Sequence, residues 1–365
     1  MTPQELTEML YQSEALQQGS VIEIQITENE AFNSQIQHLK VSYSPDAAPQ
    51  LPTELVLKKN VATDWGKEAG QAEVAFYRLI AQEAHRFPMI VPHVVATYDE
   101  QTGDSLLLLQ DLSATHQAPV ARRLTAQQTI QVEDIPTSAI LHQIVETLAA
   151  FHAAWWEHPQ LGTPLLELDS DFQDEEHFRH YCQWLNQNWE SCLAAEGHWL
   201  PPDVVSEISE MLRLLPGAWE RYLARRFPMR HQLTLVHEDA HLVNFMVPRT
   251  DEDGSVYMLD WQSAFGGMGA LDLVIMCASF WTSAQRQENK REETMLRLYL
   301  ATLHAHGVTD YTWDQLLEDY RLMIIIFLQV AIWDQTNGSL RSYWWPKLQC
   351  LLSAARDLDS LGLLL

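Results

Sequence analysis

The sequence is poor in basic residues and in cysteine, and each shortage excludes a class of protein. Its 365 residues include 23 Lys and Arg but 49 Asp and Glu, which gives a formal net charge of −26 at pH 7. Phosphate backbones are bound by basic surfaces, so we expect no nucleic-acid partner. The four cysteines form no Cys-x-x-Cys pair, which argues against a zinc ribbon or a disulfide framework and predicts buried, reduced thiols.

Long apolar segments are also lacking. The longest, residues 322–333, is interrupted by Gln329 and is well short of the roughly 20 residues that cross a bilayer. The first residues contain no basic stretch leading into an apolar run, so we expect no signal peptide. Together these absences predict a cytoplasmic protein without a membrane partner.

The composition that remains is that of a globular protein with more than one core. Hydrophobic residues make up 47% of the chain and aromatic residues 10%, which is enough for a packed interior. A chain of 365 residues exceeds what one compact core usually holds, so we expect two lobes that offer a cleft. The acidic balance favours cationic small molecules as partners.

The first hundred residues form short apolar and alternating segments separated by turn-prone residues, which is typical of an antiparallel sheet. Three- and four-residue spacing over 67–82 indicates one helix among the strands. The predicted strands are 21–26, 36–43, 55–58, 94–98 and 106–109. Residues 1–111 are therefore predicted to form a small N-terminal lobe.

After residue 111 the apolar spacing is mainly helical. The predicted helices are 139–156, 172–194, 203–226, 295–306, 313–333 and 346–358. Three short apolar runs flank polar clusters and are predicted as strands over 234–236, 245–247 and 256–259. Residues 112–365 are predicted to form a larger, mostly helical lobe, which makes the fold class α+β.

The densest polar cluster lies at 235–246 and contains Asp239 and, five residues later, Asn244. Asp260 follows 21 positions after Asp239, at the end of an apolar strand. Carboxylate and amide oxygens suit Mg²⁺ that holds substrate phosphates better than they suit zinc. Asp239 would then be available to accept a hydroxyl proton.

This cluster resembles a motif of a known enzyme family. His237-x-Asp239-x-x-x-x-Asn244, followed by Asp260, is similar to the Brenner-type motif and the metal-binding aspartate of the aminoglycoside phosphotransferase and choline-kinase-like family. That family comprises small-molecule kinases, among them ecdysteroid-kinase-like enzymes, and is related to protein kinases.

Upstream segments extend the resemblance over roughly residues 21–278. Lys58 resembles the strand lysine of the family, Glu73 resembles the glutamate of the following helix, and residues 107–112 are similar to the hinge. The resemblance implies a bilobal protein-kinase-like fold. The small lobe would bind the nucleotide, and the large lobe would supply catalysis and the acceptor pocket.

By the same resemblance, the reaction is transfer of the γ-phosphate of ATP to a hydroxyl of a small molecule, with Mg²⁺ as cofactor. Asp239 would orient and deprotonate the acceptor, and Asn244 and Asp260 would bind Mg²⁺. Lys58, paired with Glu73, would hold the α- and β-phosphates.

The remaining nucleotide contacts are implied in the same way. Backbone groups from Gln110 to Leu112 would contact adenine. The loop 29–34 lies where the family covers the phosphates, but it contains no glycine. Ser34 and neighbouring backbone N–H groups are the expected substitute.

Three other residues are expected to be structural, and two alternative roles are expected for a fourth. His237 and His152 are expected to be structural, and Asp272 to brace the catalytic segment. Glu238 stands where the family usually has glycine. Its carboxylate would either raise the pKa of Asp239 or, if turned outward, attract a cationic acceptor.

Two other functions compete with a kinase. His237-x-Asp239-x-His241 has the spacing of a metal-ligand triplet, which would suit a metallohydrolase. A non-catalytic kinase-like binding protein is the other alternative, although such proteins generally lose the base or the metal ligands. For a kinase, we expect an amino sugar, an amino alcohol or another hydroxylated metabolite as acceptor, and a monomer or a homodimer.

Overall fold

The computed structural model describes residues 1–30, 34–120, 135–163, 166–250 and 254–365. The chain forms two compact units, each assembled from two stretches of sequence. The first unit comprises Met1–Leu124 and Val243–Ala264, and the second comprises Thr125–Leu242 and Phe265–Leu365. The lobe boundary between residues 111 and 112 stays a prediction.

An antiparallel sheet forms most of the first unit. Its strands are β1 (Val21–Glu30), β2 (Ser34–Tyr43), β3 (Glu54–Asn60), β4 (His93–Tyr98) and β5 (Ser105–Gln110). They lie in the order β1-β2-β3-β5-β4. Helix α1 (Pro3–Gln12) precedes the sheet, and α2 (Asp64–Ala81) follows β3 after its N-cap Thr63. The five predicted strands and the helix between them are confirmed.

Side-chain alternation along β3 decides which residues face a cavity. Leu55 and Leu57 are buried in the core together with Leu6 and Leu10 of α1. Successive side chains of a strand point to opposite faces, so Lys58 projects from the face opposite to this core. The apolar residues of β3 thus fix the register that presents the lysine.

Short strands complete both units. In the first unit, β6 (His116–Gln117), β8 (Phe245–Pro248) and β9 (Tyr257–Met258) form a small sheet in the order β6-β8-β9. In the second unit, β7 (Thr234–Val236) pairs antiparallel with β10 (Phe265–Gly267). These pairings place the polar segments that follow β7 and β9.

Helices form the rest of the second unit. They are α3 (Ser138–Trp155), α4 (Glu175–Glu196), α5 (Pro202–Leu214), α6 (Ala270–Cys277), α7 (Ser283–Gln287), α8 (Arg291–Ala305), α9 (Trp313–Thr336), α10 (Arg341–Asp357) and α11 (Ser360–Leu364). Helix α9 is buried along much of its length and packs against α4, α6 and α10. It is therefore the centre of the helical core.

Three of the helices that differ from the prediction do so for identifiable physical reasons. The helix predicted over 203–226 ends at Leu214, just before Pro216, and a π-helical turn over Trp219–Leu223 follows. Helix α10 begins at Arg341, so Pro346 lies inside it and removes one backbone hydrogen bond. Helix α6 escapes sequence analysis because all eight of its residues are buried and it has no polar face.

The structure bears on the state of the cysteines and on membrane-spanning helices. The four cysteines are buried and unpaired, which confirms the predicted reduced thiols. Burial raises the pKa of the Cys182 thiol to about 12 and that of Cys350 to about 11, so neither is a reactive thiolate at neutral pH. In the described parts of the chain, no helix combines the length and the hydropathy that a membrane span requires.

Candidate functional site

Lys58 lies at the centre of a partly buried charge cluster in the first unit. Its Nζ is 2.7 Å from Glu73 Oε2 and 2.5 Å from Asp260 Oδ1. The side chain of Lys58 is 14% exposed and that of Glu73 is 4% exposed. Burial alone would lower the pKa of Lys58, but the two carboxylates outweigh burial and raise it, so the lysine stays charged.

Helix α2 supplies Glu73 and also anchors the segment that carries Asp260. Phe76, one turn after Glu73, stacks on Trp261 with 4.2 Å between the ring centroids and 8° between the planes. Trp261 is fully buried. Because this ring pair ties residue 261 to the helix, Asp260 reaches the same lysine as Glu73.

Asp260 and Asn244 are joined through the backbone. Leu259 N–H donates to the Asn244 carbonyl oxygen at 2.9 Å, next to the pairing of β8 with β9. Asp260 has φ 67°, in the left-handed region that costs most side chains energy but that aspartate tolerates. Asn244 is 2% exposed. The amide and carboxylate oxygens of this pair are hard donors of the kind that Mg²⁺ prefers.

A cavity of about 320 Å³ in the first unit collects the residues predicted to bind nucleotide or metal. Its lining includes all seven of them: Ser34, Lys58, Glu73, Gln110, Leu112, Asn244 and Asp260. Val56, Val91 and Leu109 add apolar walls. A concave pocket of this size with a few convergent polar groups is typical of a small-molecule site. The individual roles stay predictions, and residues 31–33 of the loop predicted to cover the phosphates lie outside the described residues.

The same cavity contains a histidine–aspartate contact at the predicted hinge. His38 Nδ1 lies 2.6 Å from Asp111 Oδ2, and both residues line the cavity. Asp111 Oδ1 also accepts a hydrogen bond from Ser113 N–H at 2.8 Å. Burial would raise the pKa of Asp111, but the hydrogen bonds from His38 and Ser113 outweigh it and lower the pKa. Asp111 is thus a fixed carboxylate within the segment whose backbone is predicted to contact adenine.

In the second unit, Asp272 of α6 braces the segment that contains Asp239. Its carboxylate accepts hydrogen bonds from the backbone N–H of His237 at 2.7 Å and from that of Glu238 at 2.9 Å. Asp272 is fully buried. Asp239 N–H donates in turn to His237 Nδ1 at 3.2 Å. These bonds confirm that Asp272 braces the segment and that His237 makes a structural contact within it.

His152 of α3 completes this brace. Its Nε2 lies 3.0 Å from Asp272 Oδ2, its Nδ1 lies 2.8 Å from the Tyr299 hydroxyl, and the ring is fully buried. Thr234 of β7 donates to the carbonyl oxygen of His152 at 2.7 Å. The expectation of a packing histidine is confirmed, and the histidine also positions Asp272.

Glu238 adopts the backbone conformation of a glycine. Its φ is 64°, which is strained for a residue with a Cβ. The side chain lines a second cavity together with Asp169 and the rings of Phe172 and Phe227. Although Glu238 keeps accessible surface there, crowding by protein atoms raises its pKa to about 8, and Asp169, Asp272 and Asp239 add to this effect.

His241 contacts the Asp239 carboxylate. Its Nε2 lies 3.3 Å from Asp239 Oδ1, and the ring packs against Phe280 with 4.8 Å between centroids. Burial lowers the pKa of His241 to about 4, even though Asp239 acts in the opposite direction. The imidazole is therefore neutral at physiological pH.

The metal-ligand triplet of the hydrolase alternative is not assembled. Over the described ranges, one group of His, Cys, Asp and Glu side chains brings three ligand atoms within 4.8 Å of one another, namely Glu157, His231 and Asp310. These three are exposed and do not include the predicted triplet. The arrangement gives the metallohydrolase alternative no support.

Comparison with known families decides the class of enzyme. Residues 46–317, about three quarters of the chain, match the model of the APH phosphotransferase enzyme family. The chain belongs to this family. It is a small-molecule kinase, as the resemblance of its motifs implies. No curated protein sequence matches it.

Solved structures of phosphotransferases share the fold. Choline kinase from Cryptosporidium parvum Iowa II has a TM-score of 0.54 at 10% identity, with 93% of this chain and 91% of that chain covered. APH(2")-IIia in complex with GDP and kanamycin has a TM-score of 0.51 at 11% identity, with 97% and 98% covered. A microcompartment-associated aminopropanol kinase also scores 0.51 at 11% identity, with 93% and 94% covered. These likenesses confirm the predicted α+β, protein-kinase-like fold class.

Sequence analysis of this phosphotransferase gives no role to the side chains of Asp111 and His38, which both line the candidate nucleotide cavity. Asp111 enters the prediction only through the backbone of the hinge, and His38 does not enter it. A signal for His38 exists, because Ser34, Ile36 and His38 are spaced by two on β2 and line the same cavity. Extending the face of Ser34 along the strand would have found it.

Proposed function

We propose that this phosphotransferase uses ATP and Mg²⁺ to phosphorylate a hydroxyl of a small molecule that carries an amine. The family supplies the reaction class, and the cavity of the first unit supports the nucleotide and the metal. The observation that carries the proposal is that Lys58, Asn244 and Asp260 line one cavity, with Lys58 Nζ 2.5 Å from Asp260 Oδ1. A fixed cation beside oxygen donors is the arrangement that a metal-bound polyphosphate requires.

The residues present fit Mg²⁺. Asn244 and Asp260 offer amide and carboxylate oxygens, and neither offers sulfur or imidazole. When bound, Mg²⁺ would neutralise charge on the phosphate oxygens. Lys58 would hold the α- and β-phosphates, and Glu73 would keep Lys58 charged and in place.

The proposed chemical step is a direct transfer. The acceptor oxygen forms a bond to the γ-phosphorus as the bond from that phosphorus to the β–γ bridging oxygen breaks. ADP leaves with the electron pair of the broken bond, and the hydroxyl proton passes to Asp239. Because the transition state of such transfers is loose, the main task of Asp239 is to orient the hydroxyl. Asp272 supports this task by holding the backbone N–H groups of residues 237 and 238.

The amine on the acceptor is proposed from charge. The chain has a net charge of −26, and Glu238 and Asp169 line a cavity of the second unit together with aromatic rings. Carboxylates and ring faces both attract ammonium groups. Two of the structural relatives are a choline kinase and a kanamycin complex; choline carries a quaternary ammonium group, and kanamycin carries amines. An amino alcohol or an amino sugar is therefore the proposed acceptor class.

The test combines an acceptor screen with one substitution. ADP release from Mg-ATP should rise with a member of a panel of amino alcohols and amino sugars and not with neutral polyols of similar size. Asp239→Asn should then lower single-turnover transfer by a factor near the low end of the roughly 10²–10⁴-fold range of general-base effects, and should retain Mg-ATP affinity. Full transfer by this variant would remove Asp239 from the mechanism. A cytoplasmic location, a monomeric or homodimeric state and the lack of a nucleic-acid partner stay predictions.

A further inference from the structure

His241 differs from two buried histidines in how its ring nitrogens are used. His152 has partners at both nitrogens, and so does His116, which lies 2.8 Å from Thr115 Oγ1 and 3.0 Å from the Ser255 carbonyl oxygen. His241 contacts Asp239 through Nε2, but its Nδ1 is buried and has no hydrogen-bond partner among the described residues. A histidine kept for structure alone would satisfy both nitrogens, so this unpaired atom requires an explanation.

The ring of His241 is held in place without the use of Nδ1. Phe280 packs against it with 4.8 Å between ring centroids, and Lys347 Nζ lies 5.8 Å from the centroid of the Phe280 ring. The charged or titratable groups that act on the imidazole are Asp239, Lys347, His237 and Asp272. Since a neutral imidazole carries one N–H, the hydrogen belongs on Nε2, which faces the Asp239 carboxylate.

We propose that His241 is a positioning residue for Asp239, and that its Nε2–H holds Oδ1 so that the carboxylate meets the acceptor hydroxyl in one orientation. The inference rests on the proposed function, since that function makes Asp239 the proton acceptor. A neutral donor suits this task because it orients the carboxylate through one hydrogen bond without placing a positive charge beside it. The ring orientation that brings Nε2 to Asp239 leaves Nδ1 buried without a hydrogen-bond partner among the described residues.

The first test uses hydrolysis of Mg-ATP by the full chain, because it needs no knowledge of the acceptor. His241→Leu should reduce the rate at least about fivefold and leave the KM for Mg-ATP unchanged. His241→Gln should recover much of the loss, since its terminal amide N–H can take the place of Nε2–H. His241→Asn should not recover it, because its shorter side chain places the amide elsewhere. His180→Leu, an exposed histidine on α4, is the matched control and should hydrolyse Mg-ATP at the wild-type rate.

A double-mutant cycle separates a positioning role from a structural one. If His241 acts through Asp239, then Asp239→Asn combined with His241→Leu should be no slower than Asp239→Asn alone. Multiplied losses in the double variant would contradict the proposal. Equal rates of hydrolysis by His241→Gln and His241→Asn would also contradict the proposal. This comparison can be made even if His241→Leu does not fold.

The outcomes also distinguish this inference from the proposed function. Wild-type hydrolysis by His241→Leu together with impaired hydrolysis by Asp239→Asn would overturn the role of His241 and leave the kinase mechanism standing. Wild-type hydrolysis by Asp239→Asn would instead overturn the mechanism on which the inference rests.

Discussion

Lys58 Nζ lies 2.5 Å from Asp260 Oδ1, although the two residues are 202 positions apart in the sequence. The same lysine balances Glu73, so one cation stabilises two carboxylates in a partly buried cluster. A phosphate that binds Lys58 must displace Asp260 from the lysine, and a metal that binds Asp260 must displace Lys58 from the carboxylate. Each ligand therefore pairs the group that the other ligand leaves without its partner. Metal and nucleotide should for this reason bind together more tightly than either binds alone.

Lys58→Ala should destabilise the protein as well as weaken nucleotide binding. The substitution leaves the carboxylates of Glu73 and Asp260 close together without their cation, and breaking a buried ion pair costs about 3–5 kcal/mol. Urea unfolding should show a loss of this order. Lys59→Ala is the matched control because Lys59 is an exposed neighbour on β3, and it should change stability by no more than about 0.5 kcal/mol. Equal losses in the two variants would contradict the charge-cluster account.

Adding Glu73→Gln to Lys58→Ala should restore part of that stability. The amide removes one of the two buried negative charges but keeps the size of the side chain, so the repulsion between residues 73 and 260 disappears. The double variant should unfold at a higher urea concentration than Lys58→Ala. It should not regain Mg-ATP binding, because the cation for the phosphates is still missing. A double variant less stable than the single one would show that Lys58 does not balance Glu73.

Glu238→Gly should stabilise the protein by about 1 kcal/mol. The left-handed φ of 64° costs a residue with a Cβ about 1–2 kcal/mol, and glycine avoids this cost but loses more conformational freedom on folding. The substitution also removes one carboxylate from the neighbourhood of Asp169. Glu238→Ala, which keeps the Cβ, should gain less, and urea unfolding of both variants measures the difference. If alanine stabilises more than glycine, backbone strain at this position is not significant.

Glu238 and Asp169 should make stability fall as the pH rises. Their pKa values in the folded protein are raised to about 8 and about 7, from ordinary values of 4.5 and 3.8. Between these limits the folded state binds more protons than the unfolded state, so the free energy of unfolding decreases from about pH 5 to about pH 8. Glu238→Gln should flatten this slope in unfolding measured at several pH values. Glu146→Gln, which removes an exposed acid of α3, should leave the slope unchanged.

The sheet and most helices could be predicted because their side chains face two environments. β3 has buried leucines on one face and Lys58 on the other, and that alternation is visible in the sequence. Helix α6 has no such contrast, since it is buried all round. Its apolar run carried no period, and the position of Asp272 on a helix was therefore hidden.

The candidate site divides in the same way. Asp239 and Asn244 belong to one short motif, which can be recognised in the sequence. Contacts made across long separations are different, because they depend on tertiary packing that no local pattern encodes. The pair of His38 with Asp111 and the contact of Lys58 with Asp260 are of this kind, and each required the structure.

The central claim is that the cavity of the first unit binds nucleotide with Mg²⁺ through Lys58, Asn244 and Asp260. Thermal unfolding with and without Mg-ATP tests it most directly, because a ligand present at 100 times its Kd stabilises the folded state by about 2.7 kcal/mol. We predict that millimolar Mg-ATP raises the Tm of the wild-type protein by several degrees, that Zn²⁺ in place of Mg²⁺ does not, and that Asp260→Ala abolishes the shift. An unchanged wild-type Tm in millimolar Mg-ATP would contradict the account.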